Sequence, residues 1–462
     1  MLEKKNIPVE WIPHSYQLEA IRWCIEGFQR ENCSALFLQP GLGKTSITLE
    51  VFKRLKKQGK VKTMLIVAPL RVAQQTWPSE IKKWLNFIDL SHIVLHGPNK
   101  DELLLKKADI YIINYEGLKW LTSKKWAGCD MLVFDELTRM KSWSAERVKA
   151  IKPFLPTFNY RLGLTGTPVP NGLYDLFSQV YMLDLGQRFG RRITQFKNQF
   201  FKENIYNYKL ETFGDAENII YKKLENLAFR VEGKNYIDLP EEIHNLIELE
   251  LPQNLKEKYK TLKRELIVEL ENLEVVTAVS AAALSTKLRQ FLSGNIYIKK
   301  DNVVAVEYVH NLKLEALKEF VENLNGEPLL VGYMFKHELS MFKKTFKQAE
   351  FIEGNMNSLE LNSIITRWNR GEIPLLFGHP QSVGHGLNLQ GSCNNVMFYS
   401  LTFNLETYLQ FYKRVARQGQ KERHVYIHYL TFKNTIDEYL FEVLTKKDNS
   451  QTNLLKFLTQ EI

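Results

Sequence analysis

Cysteine is scarce in this chain, with four among 462 residues, at positions 24, 33, 129 and 393. They are far apart and lack metal-ligand spacing, so neither a disulfide framework nor a zinc site is expected, and a reducing compartment is. No apolar run approaches the roughly 18 residues of a membrane-spanning helix, so no membrane association is expected. The first residues carry Glu3 and Pro8 where a secretory leader needs an apolar core, which predicts a cytoplasmic protein. Internal repeats and low-complexity tracts are also missing, which argues against a repeat architecture.

What remains is an ordinary globular composition, 25% charged and 44% apolar. A length of 462 residues exceeds what one hydrophobic core serves, so two or more domains are expected. Lys and Arg total 62 against 52 Asp and Glu, a net charge of +10 that favours a polyanionic partner such as nucleic acid. The basic residues are dispersed, however, and solvated helix faces account for many of them.

The most informative stretch is Gln39-Pro40-Gly41-Leu42-Gly43-Lys44-Thr45. An apolar run, residues 34–38, precedes it, and Ile47, Val51, Phe52 and Leu55 follow at helical spacing. Strand, glycine turn and helix in that order make a phosphate cradle. Gly41 and Gly43 permit a tight turn with inward N–H groups, and the helix start adds its positive dipole end. Lys44 would neutralise β- and γ-phosphates, and the Thr45 hydroxyl would ligate Mg²⁺. Leu38 stands where the usual pattern begins with glycine, so a chance turn is the alternative.

Upstream, His14-Ser15-Tyr16-Gln17 opens a helix. The Gln17 amide could read an adenine edge or could be a plain exposed helix residue. Downstream, buried-strand runs at 64–69, 109–115, 131–134 and 160–164 alternate with helical patterns such as 79–87 and 145–151. That alternation predicts a doubly wound α/β domain with its ligand beyond the strands' carboxyl ends. The third run ends in Asp135-Glu136, acids that are costly to bury unless they serve a cation or a reaction. Asp135 would hold Mg²⁺, and Glu136 would orient or deprotonate the attacking water. A helix-capping pair is the other reading. The fourth run ends in Thr165-Gly166-Thr167-Pro168, either part of the same edge or a turn.

Residues 186–300 read as a helical insertion, with long amphipathic helices at 255–273 and 277–291. Its interleaved aromatics and lysines fit packed helices or nucleic-acid contact. A second α/β alternation follows, with strands at 329–334, 350–353, 375–377, 395–399 and 425–430 and no phosphate loop of its own. Here Arg414 and Arg417, three apart, would share a helix face and reach a γ-phosphate across an interdomain cleft. A surface basic face is the alternative.

In order, the stretches SYQLEA, PGLGKT, IVAPLRVAQQTW, INYEGL, VFDELT, LTGTPVPN, LLVGYM, SVGHGLNL and QFYKRVARQGQ resemble the motifs of superfamily 2 helicase-like ATPases, and within them the Swi/Snf-type double-stranded DNA translocases. Two departures stand out: Thr138 where the family usually has His, and His385 where it usually has Gly. The resemblance implies two RecA-like doubly wound parallel-sheet domains in tandem, at 1–185 and 301–462, around the 186–300 insertion. It implies ATP and Mg²⁺ as cofactors, with Gln17, Gly41, Gly43, Lys44, Thr45 and Gly386 at the nucleotide and Thr45 and Asp135 at the metal. Catalysis would fall to Lys44, Asp135, Glu136, Arg414 and Arg417. Nucleic-acid grips would be Arg71, Asn114, Tyr115, Ser382 and Asn388. The expected activity is ATP-driven translocation on double-stranded DNA by a monomer, with a protein partner for targeting and with single-stranded DNA or RNA as other substrates. A strand-separating helicase and a nucleotide-gated clamp with little turnover are the competing readings. The compactness suggests a phage or mobile-element source.

Overall fold

The computed structural model describes residues 8–124, 126, 128–166, 172–203, 210–230, 239–271, 278–300, 303–354, 356–383 and 387–445. By its internal packing the chain divides into two units, residues 1–237 and 238–462.

The first unit is built on β1 (Cys33–Phe37), β2 (Met64–Ala68), β3 (His92–Val94), β4 (Ile110–Asn114), β5 (Met131–Asp135) and β6 (Tyr160–Thr165). A small antiparallel hairpin, β7 (Phe201–Glu203) with β8 (Leu210–Thr212), precedes β9 (Ala228–Arg230). The main sheet is seven-stranded in the order β3-β4-β2-β5-β6-β1-β9, and every pairing is parallel. Its inner strands β1, β2, β4, β5 and β6 are short, almost wholly buried runs because both faces are covered. On β2, Met64, Ile66 and Ala68 enter one apolar core while Leu65 and Val67 enter another, as the two-residue pleat requires. Helices α1 (Ser15–Glu31) and α2 (Lys44–Lys57) cover the face of Met64, Ile66 and Ala68.

The second unit contains β10 (Glu241–Leu249), β11 (Asn295–Lys300), β12 (Val303–Tyr308), β13 (Leu329–Gly332), β14 (Glu350–Ile352), β15 (Leu375–Gly378), β16 (Asn395–Phe398) and β17 (His424–Phe432). Six of them make a parallel sheet in the order β10-β17-β16-β13-β15-β14, and β11 with β12 forms an antiparallel ribbon. Neighbouring residues again feed opposite cores: Leu330 enters one, Leu329 and Val331 the other. Both units are thus doubly wound α/β sheets of the expected class.

Between residues 186 and 300 the predicted helices are present as Gln253–Glu271 and Ala278–Leu292. The same stretch also holds strands that periodicity did not reveal. β9 pairs with β1, and β10 pairs with β17 over all nine of its residues. In β10 the apolar residues Ile243, Leu246 and Ile247 fall at helical spacing, yet the segment is an edge strand with no fully buried residue. An edge position asks little burial of it, so the usual alternation is lost.

Candidate nucleotide site and second-unit motifs

The glycine loop of residues 38–43 joins β1 to α2, the strand, turn and helix order that the sequence predicts. Gly41 and Gly43 have φ of +92° and +75°, the left-handed region that glycine enters without a Cβ penalty, and Gly43 is the N-cap of α2. Lys44 Nζ donates to the carbonyls of Leu38 at 2.7 Å and Gln39 at 3.3 Å, so its charge lies across the loop. Thr45 follows on the first turn of α2, half-buried.

Gln17 is 3% exposed, which rules out the plain exposed-helix reading. Its Oε1 accepts from the His14 N–H at 3.0 Å and caps its own helix, while its Nε2 donates to the Leu42 carbonyl at 3.4 Å. The Tyr16 hydroxyl reaches the same carbonyl at 3.2 Å. The start of α1 therefore buttresses the loop from behind.

Two strands away, Asp135 closes β5 and Glu136 turns out of it with φ +65°, a strained value for a residue with a Cβ. Trp77, fully buried, donates its indole N–H to Asp135 Oδ2 at 2.8 Å. Burial first, then the Glu136 charge, push the Asp135 carboxyl up to about 6, while the Trp77 hydrogen bond and the Lys44 charge pull it down. Thr138 and Thr165 donate their hydroxyls to Glu136 Oε1 at 3.1 and 3.3 Å. Thr138, which stands where the resemblance expected His, thus serves this carboxylate within its own unit. The turn after β6 abuts the loop, since a Cβ at Gly166 would lie 3.1 Å from Pro40 Cδ. Loop, acids and threonine turn share one edge of one sheet. Residues 167–171 lie outside the described residues, as do Gly386 and His385.

Among the nucleic-acid candidates, Arg71 is half-buried just before a π-turn, Val72–Thr76, and burial lowers its guanidinium pKa. Asn114 is half-buried, and its amide donates to Glu116 at 2.9 Å. Tyr115 needs correction. It is 2% exposed, and its hydroxyl lies 2.8 and 3.0 Å from the carbonyl oxygens of Asp135 and Glu136. No face of it is open to a strand of nucleic acid. It sits beneath the acid turn instead.

In the second unit Arg414 and Arg417 do not share a helix face. Helix Leu405–Tyr412 stops before them, and the chain continues in tight turns: Val415 and Ala416 both donate to the Tyr412 carbonyl at 2.9 Å. Gln420 then anchors the segment by donating to the carbonyls of Cys393 at 2.8 Å and Val415 at 3.2 Å. The segment is knitted to the Leu387-Asn388-Leu389 stretch. Leu389 N–H donates to the Arg414 carbonyl at 3.1 Å, and Arg417 Nη1 hydrogen-bonds Asn388 Oδ1. Asn388 is exposed and Ser382 half-buried. A proposed finger and a proposed grip are therefore direct neighbours, a pairing that spacing alone did not reveal. Spacing also did not disclose Thr165 and Thr138 as partners of Glu136, or Trp77 as the partner of Asp135.

The SNF2-related domain model matches residues 16–300, and the helicase conserved C-terminal domain model matches residues 312–419. A protein called p41 from Acyrthosiphon pisum secondary endosymbiont phage 1 is 35% identical, over 91% of this chain and 94% of its own length. The ATP-dependent helicase/translocase YwqA of Bacillus subtilis is 24% identical over 96% of this chain and 48% of its own, so the chain spans about half the length of that relative. A solved structure of the Sulfolobus solfataricus SWI2/SNF2 ATPase core in complex with dsDNA covers both chains fully at 20% identity and a TM-score of 0.47. No helix among the described residues is long and apolar enough to cross a membrane. With the domain model covering more than half of the 462 residues, the chain belongs to the SNF2-related family of helicase-like ATPases.

Proposed function

We propose that this chain is an ATP-driven motor that moves along double-stranded DNA and remodels DNA or protein–DNA complexes. The observation that carries the reading is the convergence of the Lys44 loop, the Asp135-Glu136 turn and Thr165 on one carboxyl edge of the first sheet. ATP use follows from the family. Duplex DNA as the track is favoured by the resemblance of the ordered motifs, SVGHGLNL and QFYKRVARQGQ among them, to Swi/Snf-type translocases and by the net charge of +10.

The residues suit a nucleotide with its metal. Gly41 and Gly43 open the loop's N–H groups to phosphate oxygens, and Lys44 supplies the charge that cancels them. The donor set of one hydroxyl (Thr45) and one carboxylate (Asp135) is the sparse oxygen set Mg²⁺ takes when phosphates complete its shell. Bound there, the ion would neutralise charge developing on the transferred phosphoryl group. Glu136, steadied by two threonine hydroxyls, orients the attacking water. Gln17 holds the loop and keeps one amide hydrogen for an adenine edge. Arg414 and Arg417 supply positive charge to the γ-phosphate during turnover, a contribution worth about 10³ to 10⁵ in rate. Arg71, Asn114, Ser382 and Asn388 remain the candidate grips on the nucleic-acid backbone. Likeness to a phage protein supports a phage source.

The test is steady-state ATP hydrolysis with no nucleic acid, duplex DNA, single-stranded DNA or RNA. Stimulation by duplex supports the motor reading. Stimulation by single strands alone transfers the case to a strand-separating helicase, and tight ATP binding with no turnover transfers it to a clamp.

A further inference from the structure

We infer that Tyr115 is a positioning residue for hydrolysis, its hydroxyl holding the backbone turn that aims the Glu136 carboxylate. The inference rests on the ATPase reading above and deepens it.

Tyr115 follows β4, and β2 lies between β4 and β5 in the sheet. The ring must therefore span two strand spacings, roughly 10 Å, to reach the end of β5. It does so where β2 ends in the small, buried Ala68. There the hydroxyl proton is shared by two successive carbonyl oxygens, Asp135 O at 2.8 Å and Glu136 O at 3.0 Å. In an extended strand successive carbonyls point to opposite sides, so one donor cannot serve both. They converge because Glu136 has turned to φ +65°. Shared donor and left-handed residue are thus one device. The turn brings the Glu136 side chain to the hydroxyls of Thr138 and Thr165 and keeps it from continuing along the strand direction.

The donor is permanent. Tyr115 is 2% exposed, and a phenol keeps its proton at neutral pH. The body of the ring belongs to the apolar core that holds Leu118, Phe134 and Leu137. Phenylalanine would fill the same space and lose only the donor.

Tyr115→Phe is therefore the discriminating variant. The expected result is a tenfold to hundredfold fall in kcat, with KM and the dissociation constant for ATP within threefold of wild type, because the Lys44 loop is untouched. A second readout separates positioning from general loosening. In a Glu136→Gln background, Tyr115→Phe should change the residual rate by less than twofold, because the group it aims is already gone. The proposal is overturned if Tyr115→Phe turns over within twofold of wild type. It is overturned equally if the substitution multiplies the Glu136→Gln defect, or if kcat and ATP affinity fall together. A wild-type chain that binds ATP without hydrolysing it refutes the ATPase reading itself, and this inference with it.

Discussion

Gly43→Ala is the substitution whose cost can be worked most fully from the geometry. The residue has φ +75°, and a Cβ built there would sit 2.4 Å from Gln17 Nε2. Forcing alanine into the left-handed region costs about 1–2 kcal/mol. Expelling the Gln17 amide breaks its bond to the Leu42 carbonyl and disturbs the cap of α1, a further loss of about 1–2 kcal/mol for buried polar groups. Gly43→Ala should therefore destabilise the first unit by about 2–4 kcal/mol. Gln17→Ala alone should cost about 1–3 kcal/mol, through the same hydrogen bonds. The two losses overlap, because with Gln17 gone the new methyl has nothing to expel. A double-mutant cycle by denaturant unfolding should then give a favourable coupling of about 1–2 kcal/mol between the sites. ATP affinity measured on the same four proteins separates buttress from base contact. If Gln17 acts only through the loop, Gln17→Ala lowers ATP and GTP affinity alike; an adenine contact makes the loss larger for ATP. Strict additivity in the cycle would refute the claim that helix α1 supports the phosphate loop through this amide.

Other outcomes follow from the same site. Glu136→Gln should leave ATP binding intact and cut turnover by about 10² to 10⁴ if the carboxylate activates water, and an unchanged kcat removes it from that role. Arg417→Ala should keep the ATP dissociation constant within threefold while turnover drops by about 10³ or more; loss of binding alone argues against a finger. Acid should weaken the second unit through His310, His337 and His428, each held down to about 4 chiefly by burial. Because the unfolded chain takes up these protons first, that stability is complete above about pH 6.5 and lost as pH falls toward 4, about 2 kcal/mol for each histidine by pH 5. Burial raises Glu338 and offsets part of the loss. Melting curves of wild type at pH 7 and pH 5 should show the second unit's transition falling, and an unmoved transition contradicts the burial argument.

Most strands of both sheets were legible from sequence, because a parallel sheet covered on two faces writes itself as short unbroken apolar runs such as Met64–Ala68 and Leu329–Gly332. β3, β9 and β10 were not, since across the three of them only Ala228 is buried and no apolar run marks them. The glycine loop before α2 and the acid pair at the end of β5 were legible for a different reason. Glycine at positive φ and carboxylates at a strand's end are chemically conspicuous choices. The supporting contacts were not conspicuous. Trp77, Thr138, Thr165 and Tyr115 are residue types that any core or turn employs, and they meet the acids only through strand order. Arg414 and Arg417 carried the opposite hazard, since a three-residue spacing suggested a helix that in fact stops at Tyr412.

The central claim, a motor that tracks duplex without having to separate it, is tested most directly by triplex displacement run beside unwinding on matched duplexes. The account predicts that ATP drives release of the third strand, that Lys44→Ala and Glu136→Gln abolish it, and that the underlying duplex stays paired. Strand separation without triplex displacement, or displacement that proceeds equally in Glu136→Gln, would contradict it.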